Sequence, residues 1–118
     1  DKGAELIRMM ARQLGPERFR AATDRYFAAN DGKAATVEDF LDALGAQGLD
    51  SALFKRWYEQ PGTPRVEVGA IHDPAAAAVH LRFVQSNPRA GTDAAPLPIP
   101  LPFALFAADG RKLHQSDT

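Results

Sequence analysis

The sequence lacks cysteine altogether among its 118 residues. Disulfides, thiolate zinc ligands and cysteine nucleophiles are therefore excluded. The absence fits a reducing compartment, so we expect a cytoplasmic protein. No run approaches the roughly 20 apolar residues that a membrane-spanning helix needs, and we expect no membrane association.

An excess of positive charge is also missing. Fourteen Lys and Arg residues stand against fifteen Asp and Glu residues, giving a formal net charge of -1. Nothing in this balance can hold a run of phosphates, so nucleic acid is excluded as an expected partner. Hydrophobic residues make up 45% and charged residues 25%, which is the composition of a folded globular chain.

The chain opens Asp1-Lys2-Gly3-Ala4, without an initiator methionine and without the apolar core of a signal peptide. We expect a processed or excised segment. A trimmed start is the alternative, and the sequence leaves both open.

Apolar residues recur at helical spacing up to about residue 60 and predict four helices. The first ends at Gly15-Pro16, the second runs from 16 to 29, the third opens at Thr36 with a capping box to Asp39, and the fourth follows Asp50. The faces predicted to be buried contain Ile7, Met10, Ala11 and Leu14; Phe19, Ala22, Tyr26 and Phe27; Phe40, Leu41 and Leu44; and Leu53, Phe54, Trp57 and Tyr58.

After Pro61 the apolar period changes to two, which predicts strands over 66–70 and 79–84, each with one buried face. A loop around His72-Asp73-Pro74 is predicted to join them as a hairpin. The five prolines between 88 and 102 predict an extended edge or a loop, because proline donates no hydrogen bond.

The end of the sequence predicts a second hairpin. Its first strand spans 103–107, Asp109-Gly110 forms the turn, and Lys112-Leu113 begins the returning strand. Helices followed by antiparallel strands give an α+β fold.

Catalytic and metal-binding constellations are few. His72, His80 and His114 never stand three or four residues apart, so no helical metal pair exists, and solvated histidines are the better interpretation. None of the three serines, Ser51, Ser86 and Ser116, lies in a Gly-x-Ser-x-Gly elbow. No glycine-rich phosphate-binding loop is present.

The remaining candidates have structural explanations. Glu38 with Asp39 is explained by the favourable charge at a helix start. Lys55-Arg56 beside Trp57-Tyr58 could form a stacking surface for bases, but the helical spacing favours Trp57 as a core residue. We take Met9-Met10 as core packing, and Arg18, Arg20 and Arg25 as a solvated helix face.

Three stretches together resemble the zinc aminopeptidases typified by bacterial aminopeptidase N. Residues 1–10 are similar to the family's Tyr-x-Lys-Gly-Ala-x-x-(Ile/Leu)-Arg-Met helix. Residues 14–40 carry Leu-Gly-Pro-Glu-Arg-Phe, then Tyr-Phe, then Asp-Gly-Lys-Ala-Ala-Thr. Residues 54–68 carry a tryptophan, then Gly-x-Pro, then alternating valines; residues 97–100 and 108–111 look like the bacterial branch in particular.

The resemblance implies that residues 1–60 are the last helices of a thermolysin-like catalytic domain, and that 61–118 begin a β-sandwich domain. It implies a parent enzyme that removes N-terminal residues from peptides with a bound zinc. The zinc ligands, the general base and the tyrosine that stabilises the oxyanion would all precede Asp1. No catalytic, cofactor-binding or metal-binding residue is therefore carried onto this chain, and the segment alone is expected to be inactive.

A free-standing, non-enzymatic module that binds a peptide along a sheet edge is the alternative function. If the chain is excised, apolar faces and strand edges that the parent buries are exposed. Such surfaces associate, so we expect a dimer or larger species.

Overall fold

The computed structural model describes residues 1–116 and has the predicted α+β organisation, with four helices followed by two antiparallel strand pairs. It divides into two compact units, Arg56–Leu97 and a second unit formed by Asp1–Lys55 with the described residues from Pro98 onward. The elements are α1 Lys2–Leu14, α2 Pro16–Asn30, α3 Val37–Gly45, α4 Ser51–Glu59, β1 Arg65–Asp73, β2 Ala78–Ser86, β3 Ala104–Phe106 and β4 Lys112–Gln115.

The break between α1 and α2 lies where the sequence predicts it. Gly15 adopts φ 81°, a conformation that costs other residues free energy, and its N–H donates to the carbonyl of Ala11 at 2.9 Å. Pro16 occupies the first turn of α2, where its missing N–H has no intrahelical acceptor to lose.

The buried stripe of α1 is shifted from the predicted one: Leu6 was not predicted to be buried, and Ala11, which was, is only half-buried. Leu6, Met10 and Leu14 are buried, whereas Ile7 is 42% exposed. The buried residues form an i, i+4, i+8 row, and Ile7 lies beside that row. In the unit that contains Asp1–Lys55, the buried core of the helices consists of Leu6, Met10, Leu14, Ala22, Leu41, Ala43, Leu44, Leu49 and Phe54.

In α2 the prediction is correct for Ala22 and wrong for Phe27. Ala22 is fully buried, and Tyr26 is half-buried. Phe27 is 65% exposed, and its ring contacts Tyr26 edge-to-face at 5.4 Å. Tyr26 also meets Phe40 of α3 edge-to-face at 5.4 Å, so one ring of the aromatic pair at the end of α2 faces the core side and the other faces outward.

Side-chain caps begin α3 and α4 as predicted. The N–H of Asp39 donates to the Thr36 hydroxyl at 3.3 Å, and the N–H of Thr36 donates to the Asp39 carboxylate at 2.8 Å, which completes the capping box. The carboxylate of Asp50 accepts from the N–H of Leu53 at 3.0 Å at the start of α4.

The β1–β2 hairpin is longer than the alternation predicts. His72 pairs with Val79 and Asp73 with Ala78, so the predicted loop residues His72 and Asp73 belong to β1. The turn itself comprises residues 74–77. Asp73 extends the ladder because its carboxylate accepts from the N–H of Ala76 at 3.1 Å and stabilises the turn.

The prediction of one buried face on this hairpin is wrong. The register places one apolar face on a single side of the two strands, and much of it is open: Val68 is 60% exposed and Phe83 is 41% exposed. A two-stranded sheet is one layer and cannot bury its own face. We call this surface the apolar face; its members are Val66, Val68, Ala70, Val79, Leu81 and Phe83.

The second hairpin confirms the predicted turn and the start of the returning strand at Lys112, but its first strand is shorter than the predicted 103–107. β3 spans Ala104–Phe106, and the N–H of Ala107 donates to the carbonyl of Arg111 at 2.8 Å across the Asp109-Gly110 turn. The proline-rich segment 88–102 forms no strand, in agreement with the loop alternative.

Gly62 is predicted to tolerate alanine less well than Gly91. Both have positive φ, 82° and 85°, so both substitutions should cost about 1–2 kcal/mol for backbone strain. A Cβ at Gly62 would also lie 2.7 Å from Cβ of Arg89 and 3.0 Å from Oδ1 of Asn87, whereas Gly91 faces open space. Urea unfolding should therefore show Gly62→Ala less stable than Gly91→Ala by at least about 1 kcal/mol. Equal losses would contradict the close packing at Gly62.

Candidate functional site

The three histidines are not brought together. His72 and His80 lie on opposite faces of the β1–β2 hairpin, since their positions in the register alternate. His114 lies in β4, where its ring stands 5.7 Å from that of Phe103. All three are exposed, and no cluster of three metal-ligating side chains exists within residues 1–116. Their geometry therefore does not fit a zinc ion.

The three serines lie at or next to the ends of helices and strands, where they have structural roles or positions. Ser116 accepts from the N–H of Phe103 at 3.0 Å through its hydroxyl and closes the second hairpin. Ser51 is the first residue of α4, and Ser86 is the last residue of β2. Among residues 1–116 no hydrogen bond joins a serine to a histidine, so a hydrolytic triad has no support here.

Trp57 is 7% exposed, which confirms its predicted place in the core and rules out its face as a stacking surface for bases. Lys55 forms an ion pair with Glu38 at 3.4 Å. Arg56 donates to the carbonyl of Pro96 at 3.1 Å. The prediction that Tyr58 is buried is wrong, since it is 42% exposed; its partial burial raises the pKa of its hydroxyl.

Glu38 and Asp39 lie in the first turn of α3, where negative charge stabilises the helix N-terminus, as predicted. A hydrogen bond from its own backbone N–H, followed by the hydrogen bond and charge of Lys55, holds the pKa of Glu38 below its ordinary value of 4.5. The arginines of α2 are exposed, as predicted, and Arg20 pairs with Asp24 at 2.9 Å. Of the two methionines predicted to pack in the core, Met10 is fully buried, whereas Met9 is only half-buried.

The densest polar constellation lies within Arg56–Leu97 and was not predicted from the sequence. Four side chains, from the end of α4 and the end of β2, donate to main-chain carbonyls of Pro61 and of residues 95–97. We call this set the polar clamp; its members are Arg56, Gln60, Gln85 and Asn87.

A cavity of about 450 Å³ adjoins the polar clamp and is lined by Gln60, Gln85, Asn87 and the segment that the clamp holds. Its amide side chains already bond the main chain, and Asn87 Oδ1 is buried with no donor among the described residues. The arrangement can stabilise a loop. The signal that could have revealed it is the alternation of prolines from 96 to 102, which leaves isolated N–H groups that need partners.

No helix within residues 1–116 has the length and apolar content to cross a membrane.

Comparison with known proteins divides the chain into two parts. Residues 1–57 match the peptidase family M1 domain, and residues 62–118 match a domain of unknown function with an Ig-like fold, DUF3458.

Individual relatives span both parts. The chain is 42% identical over 115 residues to aminopeptidase N of Haemophilus influenzae, and 40% identical over 110 residues to aminopeptidase N of Escherichia coli. These alignments cover 95% and 92% of the chain, but only 13% of each relative. Aminopeptidase N of Caulobacter vibrioides is 46% identical over 80 residues, which is 67% of the chain and 9% of that relative.

The ion pair at the start of α3 yields a prediction about the pKa of Glu38. Lys55→Met removes a hydrogen bond and a charge, so the pKa should rise part of the way toward 4.5. Because the folded pKa is the lowered one, the stabilisation is present above the ordinary pKa and is lost as pH falls through the folded value. A ¹³C NMR titration of the Glu38 carboxyl measures this. Lys33→Met is the matched control, and an unchanged pKa in Lys55→Met would rule out the pair.

Proposed function

Because the chain belongs to the aminopeptidase N group of peptidase family M1, we propose that it is a segment of a zinc-dependent aminopeptidase that hydrolyses N-terminal residues from peptides. The observation that carries this is the 42% identity to aminopeptidase N over 95% of the chain. The chain spans 13% of the length of that relative, so activity and substrates belong to the proposed longer protein.

Within that protein, we assign residues 1–60 to the closing helices of a thermolysin-like catalytic domain and 61–118 to the first part of a β-sandwich domain. The peptidase family M1 match ends at residue 57 and the Ig-like match begins at residue 62, which supports a boundary in this region. The helical content before it and the antiparallel hairpins after it are consistent with the assignment.

The role of this segment is structural in the proposal. The zinc, its activated water and the groups that bind the peptide N-terminus are supplied by residues outside this chain. The scattered histidines support this division, since they do not fit a zinc site. The substrates are peptides, and we propose a cytoplasmic enzyme without nucleic acid or membrane as a partner.

A non-enzymatic peptide-binding module is the second candidate, favoured by one observation. β1 and β2 form a sheet of only two strands, so each has an edge without a strand partner among residues 1–116. An extended peptide can pair with such an edge. Binding of a peptide by main-chain pairing at β1 or β2, without turnover in any longer form of the protein, would favour this candidate.

The apolar face also bears on assembly. Val68 and Phe83 form a cross-strand pair at its centre and are 60% and 41% exposed. In a β-sandwich such a face packs on a second sheet about 10 Å away. We propose that the rest of the sandwich covers it in the longer protein, and that a second copy covers it when the 118-residue chain is alone.

Activity and zinc binding test the proposed function. The longer protein should release the N-terminal residue from aminoacyl-p-nitroanilides, and a zinc chelator should abolish the release. The 118-residue chain with added zinc should show no turnover and no zinc binding by calorimetry. Turnover or stoichiometric zinc binding by the chain alone would contradict the division of roles, and a longer protein inactive on every aminoacyl substrate would contradict the proposal.

Assembly is tested by charge placed on the apolar face. The chain should show a light-scattering mass at least twice its 12.8 kDa, and Phe83→Lys should shift it toward the monomer because a lysine cannot be buried unpaired in the contact. Ile71→Lys is the matched control, since Ile71 is 69% exposed on the opposite face of the hairpin. A monomeric mass at all concentrations, or equal effects of both variants, would contradict the proposed contact.

A further inference from the structure

Leu97 lies in an unusual main-chain position. Pro96 and Pro98 flank it, so its N–H is the sole main-chain donor among these three residues. Leu97 is 3% exposed, and a buried N–H without a partner is costly. The chain must therefore supply a partner at this point.

The side chain of Gln85 bonds both the N–H and the carbonyl of Leu97. The N–H of Leu97 donates to Oε1 of Gln85 at 2.7 Å, and Nε2 of Gln85 donates to the carbonyl of Leu97 at 2.8 Å. This two-bond exchange is the one that a hydrogen-bonded residue pair makes in an antiparallel ladder. The side-chain amide thus takes the place of a strand that the prolines do not allow.

The rest of the polar clamp extends this attachment to α4. From the last turn of α4 and the residue after it, Arg56 donates to the carbonyl of Pro96 at 3.1 Å and Gln60 donates to that of Ala95 at 2.6 Å. From the residue after β2, Asn87 donates to the carbonyl of Pro61 at 3.1 Å. These three bonds are exposed, whereas the Gln85 pair is partly buried and should contribute most.

We propose that the polar clamp makes Arg56–Leu97 one rigid body, so that residues 60–64, which join the last turn of α4 to β1 within this unit, are not a hinge. The family boundary between 57 and 62 lies inside this compact unit. The end of α4 and the β1–β2 hairpin therefore move together. This goes beyond the proposed peptidase function, and its test does not depend on any activity.

Backbone order measured by ¹⁵N relaxation tests the proposal without any variant. The order parameters of Gly62 and Thr63 should match those of β1 and β2, at about 0.85. Values below about 0.6 at these two residues beside ordered strands, or microsecond-to-millisecond exchange detected there by relaxation dispersion, would identify a hinge and overturn the proposal.

Amide hydrogen exchange then tests the role of Gln85. Gln85→Met removes both bonds to Leu97, so the Leu97 N–H should exchange at least about tenfold faster relative to the hairpin amides. Gln13→Met is the matched control, because Gln13 lies on the exposed side of α1. Equal Leu97 exchange in the two variants would overturn the proposal, as would a Leu97 N–H that is unprotected in the unaltered chain. If Gln85→Met does not fold, the order parameters of the unaltered chain decide.

Discussion

The paired hydrogen bonds between Gln85 and Leu97 are the interaction on which the unit Arg56–Leu97 depends. Alternating prolines deny the segment after β2 a strand ladder, and a single side-chain amide provides the two bonds that a ladder residue would have made. With Leu97 held and buried, its neighbours present their carbonyls to Arg56 and Gln60. The proline-rich segment is thereby part of the unit, although it contains no secondary structure of its own.

The two units bury their apolar side chains to different extents. The helical unit encloses a core around Met10 and Leu44, both fully buried. In the hairpin, by contrast, Val68 is 60% exposed and Phe83 is 41% exposed, since a two-stranded sheet cannot bury its own face. The alternation of β1 and β2 is the pattern of strands with one buried face, and residues 62–118 match a domain with an Ig-like fold.

Helix ends, the Asp109-Gly110 turn and the fold class could be predicted from the sequence because local chemistry determines the ends and turns: Gly15 and Thr36 act within a few residues of themselves. The exposure of Phe27 could not be predicted, because Tyr26 and Phe27 are adjacent and either ring fits the apolar side of α2. Contacts with other helices decide which of the two rings is buried. The polar clamp was missed for a related reason. It joins Gln60 and Gln85 to segments 12 to 35 residues away, and an isolated glutamine carries no periodic signal. The absence of a catalytic site in the chain stays a prediction.

The most direct test of the account is the sequence of the coding region upstream of Asp1. Membership of the aminopeptidase N group predicts a codon for tyrosine immediately before Asp1, and a His-Glu-x-x-His motif with a downstream glutamate further back in the same reading frame. A start codon near Asp1 with no such motif upstream would contradict the account, because the chain would then be a protein in its own right without a zinc site.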